Sequence, residues 1–203
     1  MTRHEKGKDY PIYTRRKGSL DAEEEIIFDV NEMAEGHSFY NLTGLSVSED
    51  NKLVSFGVDT VSRRQYTIYI KNLETGEILP EQIPMATGGS TWGSDNKTLY
   101  YTRKDENTLR ANQIFRHTLG TDSSEDELVY TEDDETFRTY VFKTKSRQFI
   151  VIGSYSTLTS EYRVLEADNP TGEFQIFQPR ERGLEYSILD YEDHWYILTN
   201  KDK

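Results

Sequence analysis

Apolar residues in this chain come in short runs, each closed by Asp, Asn, Gly or Ser, and most runs alternate with polar positions. "YTIYIKNL" places Ile68, Ile70 and Leu73 in near alternation, and "SEYRVLEAD" does so less cleanly with Tyr162, Val164 and Leu165. A period of two marks half-buried strands. No segment keeps a long 3.6-residue apolar rhythm; "DVNEMAEGHSF" allows one helical turn at most and reads as loop.

The runs repeat. "TGLSVSEDNKLVSFG" (Thr43 to Gly57) aligns with "GGSTWGSDNKTLYYT" (Gly88 to Thr102) at an offset of 45 residues, which sets Asp50, Asn51 and Lys52 on Asp95, Asn96 and Lys97. A fainter copy, "TKSRQFIVIG" (Thr144 to Gly153), aligns with Ser48 to Gly57, and "LDYEDHWYILTN" near the end again sets an acidic turn before an aromatic strand. The stretches that follow the copies, "YTIYIKNLETGEIL", "NQIFRHTLGTDSSEDELVY" and "SEYRVLEADNPTGEFQIF", each read as strand, polar turn, strand.

Ser94-Asp95-Asn96-Lys97 is therefore a hairpin turn: Asp caps backbone N–H groups, and Asn tolerates positive φ. Trp92 before it and Leu99 or Tyr101 after it can share one sheet face. Four short strands in about 45–50 residues is the size of one propeller blade. The expected fold is all-β: a partial β-propeller with about four blades' worth of four-stranded antiparallel sheet, in pieces 10–37, 42–86, 88–132, 136–179 and 184–200. Propellers carry about four to eight blades. Either the first and last pieces close a four-bladed ring, or the chain is an arc of a larger one whose apolar ends stay open to association.

Composition narrows the chemistry. The 203 residues carry 24 basic and 36 acidic side chains, a net charge of −12, which disfavours nucleic acid and favours cationic partners such as basic peptides. Aromatic residues make up 12%, 14 of them Tyr, in keeping with strands. With no Cys there is no disulfide, thiolate metal ligand or thiol nucleophile. No apolar run approaches the ~20 residues that span a bilayer. "MTRHEKGKDY" has no apolar segment of a signal peptide, so a cytoplasmic location is expected, with the periplasm open because the natural start is not fixed.

Candidate chemistry is sparse. "TGGSTWG" (Thr87 to Gly93) is the nearest match to a nucleophile elbow, but Trp92 stands where the pattern needs Gly, and no helix follows; it reads as an inner strand with permissive glycines near the propeller axis. His4, His37, His117 and His194 share no metal-ligand spacing and sit at a terminus, in turns or at a strand end. The runs Glu23 to Glu25, Ser123 to Glu127 and Glu132 to Glu135 lack the calcium-loop pattern and read as solvated loops. Arg15-Arg16 and Arg63-Arg64 could bind carboxylates of another domain; salt bridges to nearby Asp and Glu are the plainer reading. Asn41 and Asn96 match the glycosylation sequon without secretory context. No catalytic, cofactor-binding or metal-binding residue is assigned, and substrate-binding residues stay unassigned.

Longer motifs carry a resemblance. "GKDYPIYTRRKGSLDAEEEIIFDVNEMAEGH", "LSVSEDNKLVSFGVDTVSRRQYTIYIKNLETGE", "LRANQIFRHTLGT", "SYSTLTSEYRVLEAD" and "HWYILTN" resemble the propeller domain of the prolyl oligopeptidase family, in its oligopeptidase B (protease II) branch, over nearly the whole chain. The resemblance implies a serine peptidase that cleaves peptides after Arg or Lys. It implies a seven-bladed propeller capping an α/β-hydrolase domain, which holds the Ser-His-Asp triad and lies beyond this chain. It also implies that the family's segment before "YPIY" is missing. The chain alone would then be a non-catalytic, size-selective cap, with its own hydrolase domain and basic peptides as partners and with self-association through open ends. The alternative is a stand-alone four-bladed interaction scaffold, closed by pairing "YILTN" with "YPIYTRR".

Overall fold

A computed structural model describes residues 1–201, and its regular structure is almost wholly antiparallel sheet. The first sheet holds β1 (Thr2–Arg3), β2 (Ile12–Arg16) and β3 (Glu24–Asp29), followed by one helical turn, α1 (Val30–Met33), which Asp29 caps by accepting from the Asn31 amide. A seven-stranded sheet runs through β4 (Asn41–Val47), β5 (Leu53–Asp59), β6 (Tyr66–Asn72), β7 (Ile78–Trp92), β8 (Thr98–Lys104), β9 (Ala111–Thr118) and β10 (Glu127–Thr131), neighbours in chain order. A four-stranded sheet follows, with β11 (Arg138–Lys143), β12 (Phe149–Tyr155), β13 (Ser160–Glu166) and β14 (Gln175–Ile176). A hairpin of β15 (Tyr186–Tyr191) and β16 (His194–Thr199) ends it.

The seven-stranded sheet is two four-stranded units that share one strand. The first part of β7 pairs with β6 as far as Ala86↔Tyr66; Ala86 also faces Arg103 of β8, and after a register shift the second part pairs with β8 from Ser90↔Tyr101 to Trp92↔Leu99. Between them the strand turns at Gly88, whose φ is +97°. A Cβ on Gly44 would sit 2.1 Å from the Gly88 carbonyl oxygen, and one on Gly57 would sit 2.5 Å from the Gly88 Cα. Backbone meets backbone where the units cross, so side chains are shut out of all three positions.

Successive residues on each strand point to opposite faces, and each face enters a different core. Leu99 and Tyr101 pack with Trp92, Ile68, Ile70 and Ile83 against the preceding unit. Tyr100, between them, packs with Ile114, Ile150, Ile152 and Leu165 against the following one. Phe28, Val30 and Tyr40 meet Leu42, Val54 and Phe56, while Val151 and Tyr162 meet Leu184 and Tyr186. No sheet has a core of its own; each is stable only through its neighbours.

The repeated turns match the sequence reading. Asn51 and Asn96 have φ of 60° and 58°. The Asp95 carboxylate accepts from the Lys97 and Thr98 amides, and the Asp50 carboxylate from that of Lys52. In the third copy Arg147 occupies the Asn position, also left-handed at 68°. The turns touch: the Asn96 side chain accepts from the Asp50 amide at 2.9 Å.

The four-bladed closure does not form among the described residues. β2 lies between β1 and β3 and has no edge to offer, and β16 pairs with β15 alone. The arc stays open, and the far face of the last hairpin leaves Leu189, Tyr191, Tyr196 and Leu198 exposed.

Candidate functional site

Three equivalent strands, β5, β8 and β12, end at the same end of the sheets, and the connections between units lie there too. Arg63, Arg64, Lys104 and Arg138 lie at this end, with the acidic stretches Asp105-Glu106 and Glu132 to Glu135 in the neighbouring connections. The loop after β5 is wound tightly by Asp59, a buried carboxylate that accepts from the amides of Val61 at 2.8 Å and Arg64 at 2.7 Å. Ser62 and Arg64 are both left-handed, at 60° and 54°, each at a cost of about 1–2 kcal/mol for a residue with a Cβ. That strain holds Arg63 and Arg64 at the tip, exposed and with no side-chain ion pair among the described residues. The Lys104 ammonium donates to the Arg64 carbonyl. Burial, with Arg64 and Arg138 nearby, lowers the Lys104 amine below the ordinary lysine value. The salt-bridge reading of the Arg pairs is therefore corrected for Arg63-Arg64: no ion pair forms among the described residues, and Asp59 in the same loop accepts from backbone amides. Arg15 does pair with Glu25, at 2.8 Å; Arg16 instead caps the carbonyls of Leu20 and Ala22.

Beside this tip lies a cleft of about 520 Å³, lined by Asp134, Thr136, Phe137, the loop Ser156 to Thr159, Arg180 and Arg182. Its floor is an ion network. Glu132, 3% exposed, accepts from both terminal nitrogens of Arg180 at 3.2 and 2.6 Å, and from the Tyr130 hydroxyl at 2.7 Å. The Arg180 guanidinium lies 3.7 Å from the centroid of the Phe137 ring. Arg110 donates to the carbonyls of Asp134, Phe137 and Glu132, each at 3.0 Å, and so fixes the segment that carries the carboxylate. Burial would raise the Glu132 carboxyl, but Arg180 and Tyr130 outweigh it and hold it below the ordinary value.

The chemistry weighed in the sequence is placed as follows. Ser90 lies inside β7, its hydroxyl donating to Ser55 at 2.8 Å. His4, His37 and His194 are exposed and apart; His117 is buried against Asp126, Nδ1 to Oδ1 2.6 Å. No cluster of three metal-ligating side chains occurs among the described residues. Two acidic runs are only partly solvated: Asp126 is buried between His117 and the Tyr101 hydroxyl, and Glu132 sits under Arg180. Nothing local in the sequence marks either, because the cation against Glu132 comes from the loop after β14 and the partners of Asp126 come from β8 and β9.

The chain matches the family described as prolyl oligopeptidase, N-terminal beta-propeller domain, over residues 1–203. Dipeptidyl aminopeptidase BI of Pseudoxanthomonas mexicana is 40% identical over 211 residues, covering 97% of this chain and 29% of that protein. Protease 2 of Moraxella lacunata is 35% identical over 207 residues, covering 98% and 30%. Oligopeptidase B from Leishmania major superposes with a TM-score of 0.89 at 33% identity, over 99% of this chain and 29% of that one. The chain thus spans about three-tenths of the length of these relatives.

Proposed function

The chain belongs to the prolyl oligopeptidase family, within its N-terminal β-propeller domain, and on that premise we propose that it is the gating part of an oligopeptidase B-type serine peptidase that cleaves peptides after Arg or Lys. The observation that carries this reading is the match of the whole chain, at 33% identity, to the propeller end of an oligopeptidase B. In the intact protein the propeller caps an α/β-hydrolase domain that supplies the Ser-His-Asp triad. It admits peptides and excludes folded proteins, because a rigid cap sets what can reach the cleft. The end that carries Arg63, Arg64 and Arg138 meets carboxylates of the hydrolase domain, since these guanidinium groups have no acidic side-chain partner among the described residues. The charge of −12 helps to draw in cationic peptides. The protein works in the cytoplasm, with the periplasm as the alternative; fractionation decides.

The test uses the intact protein and matched peptides with Arg, Lys or Pro before the scissile bond, free or set in a loop of a folded protein. Cleavage after Arg and Lys in the free peptides alone is expected. Cleavage after Pro overturns the specificity, and equal cleavage within the folded carrier overturns the gate. The 203-residue chain by itself should cleave none and take up no active-site serine reagent.

A further inference from the structure

On the outer rim, away from the end that carries Arg63 and Arg64, Lys71 leaves its own sheet. It pairs in β6 with Val54 and Ile78, but its Nζ reaches across to β3 and donates to the Ile27 carbonyl at 2.7 Å. Ile27 is the extra residue of a bulge: its neighbours Ile26 and Phe28 pair with Thr14 and Tyr13, and it has no partner on β2. The ammonium also stands 4.9 Å from the Phe28 ring centroid. One carbonyl and one ring are thin support for a half-buried cation, and no carboxylate pairs with it among the described residues. Burial accordingly lowers the amine below the ordinary lysine value. The group opens onto a cleft of about 390 Å³ walled by Ile26, Phe28, Met33 and Ile78, with Asp29 and Glu32 beside them.

We propose that Lys71 is a covalent capture site for short, uncharged apolar aldehydes. The walls suit an alkyl chain, and the two carboxylates repel anionic carbonyl compounds. The neutral amine adds its lone pair to the carbonyl carbon; the carbinolamine takes a proton from solvent and loses its oxygen as water. The iminium that remains keeps one N–H, so the donation to Ile27 survives. Capture thus leaves the join between β3 and β6 intact.

The chain is treated near pH 8 with hexanal and cyanoborohydride, which delivers hydride to the iminium carbon and fixes the adduct as a secondary amine; peptide mass mapping then ranks the lysines. Lys71 is expected to be labelled several-fold faster than the exposed Lys17 and Lys145, since burial favours its neutral form and the apolar cleft gathers the aldehyde beside it. Glyoxylate, an anionic aldehyde, should show no such preference, and unfolding in urea should abolish it. Lys71→Arg should remove the adduct while keeping the fold. Labelling of Lys71 no faster than Lys17 overturns the proposal, as does a preference that persists in urea or is equal for glyoxylate.

Discussion

Arg180 and Glu132, 48 residues apart, form a two-pronged ion pair across the junction of two sheets, with the closer contact at 2.6 Å. The carboxylate is buried and the guanidinium about one quarter exposed, so loss of either partner is unequal in effect. Arg180→Met strands a buried anion and should cost about 2–3 kcal/mol, somewhat under the range for fully buried pairs because solvent reaches Arg180. Glu132→Gln with Arg180→Met should recover much of that loss. Urea denaturation of the three variants measures it; equal stability of the single and double variants would deny the coupling.

The same pair has a pH signature. The folded-state pKa of Glu132 lies below its ordinary 4.5. Its contribution to stability is therefore complete above that value and drains away as pH falls through the folded one. The stability gap between the natural chain and Glu132→Gln should be flat from about pH 6 upward and narrow below about pH 4.5. A gap that widens in acid would reverse the assignment.

Gly44 and Gly76 both have positive φ, at +67° and +78°, but only Gly44 faces backbone. Gly76→Ala should cost about 1 kcal/mol from conformation alone. Gly44→Ala adds a clash with Gly88 that no side chain can relieve, and should cost about 3–4 kcal/mol or prevent folding. Thermal melts compare them; equal losses would mean that the crossing of the two units is slack.

Arg63→Glu with Arg64→Glu should leave the melting of the chain within about 0.5 kcal/mol, because neither side chain supports the fold. If the proposed function holds, the same pair of substitutions in the full-length protein should lower peptide cleavage by weakening the proposed contact with a hydrolase domain. A large change in the melting of the chain would show that the guanidinium groups have partners within it.

The open end predicts association. Leu198, 79% exposed, sits with Leu189 and Tyr196 on the outward face of the last hairpin. Sedimentation of the chain should show concentration-dependent dimers, and Leu198→Lys should shift them to monomers. Monomers at every concentration would count against it.

Much of the fold was legible in the sequence because it is written locally. A turn needs only Asp to accept two amides and Asn to bend left, so Asp95-Asn96 could be read from four letters. Trp92, Leu99 and Tyr101 share a core because a strand pair fixes their faces. Arg147 shows how far the turn can drift: the third copy keeps the left-handed bend with a side chain that gives no sign of it. Burial of Glu132 and Asp126 was illegible, since each looks like a loop acid until Arg180, from the loop after β14, or His117, from β9, reaches it. The isolation of Arg63-Arg64 was hidden likewise, because Asp59 is close in sequence but faces amides.

The shared strand β7 also decides how this architecture can be cut. A unit cut between the pieces 42–86 and 88–132 would be severed near Gly88, in the middle of one continuous ribbon, leaving a raw edge on each side. Splicing or shuffling of such units should succeed instead at the turns around Asn51 and Asn96, where a graft carries a whole β7 with it and inherits the register of both neighbours.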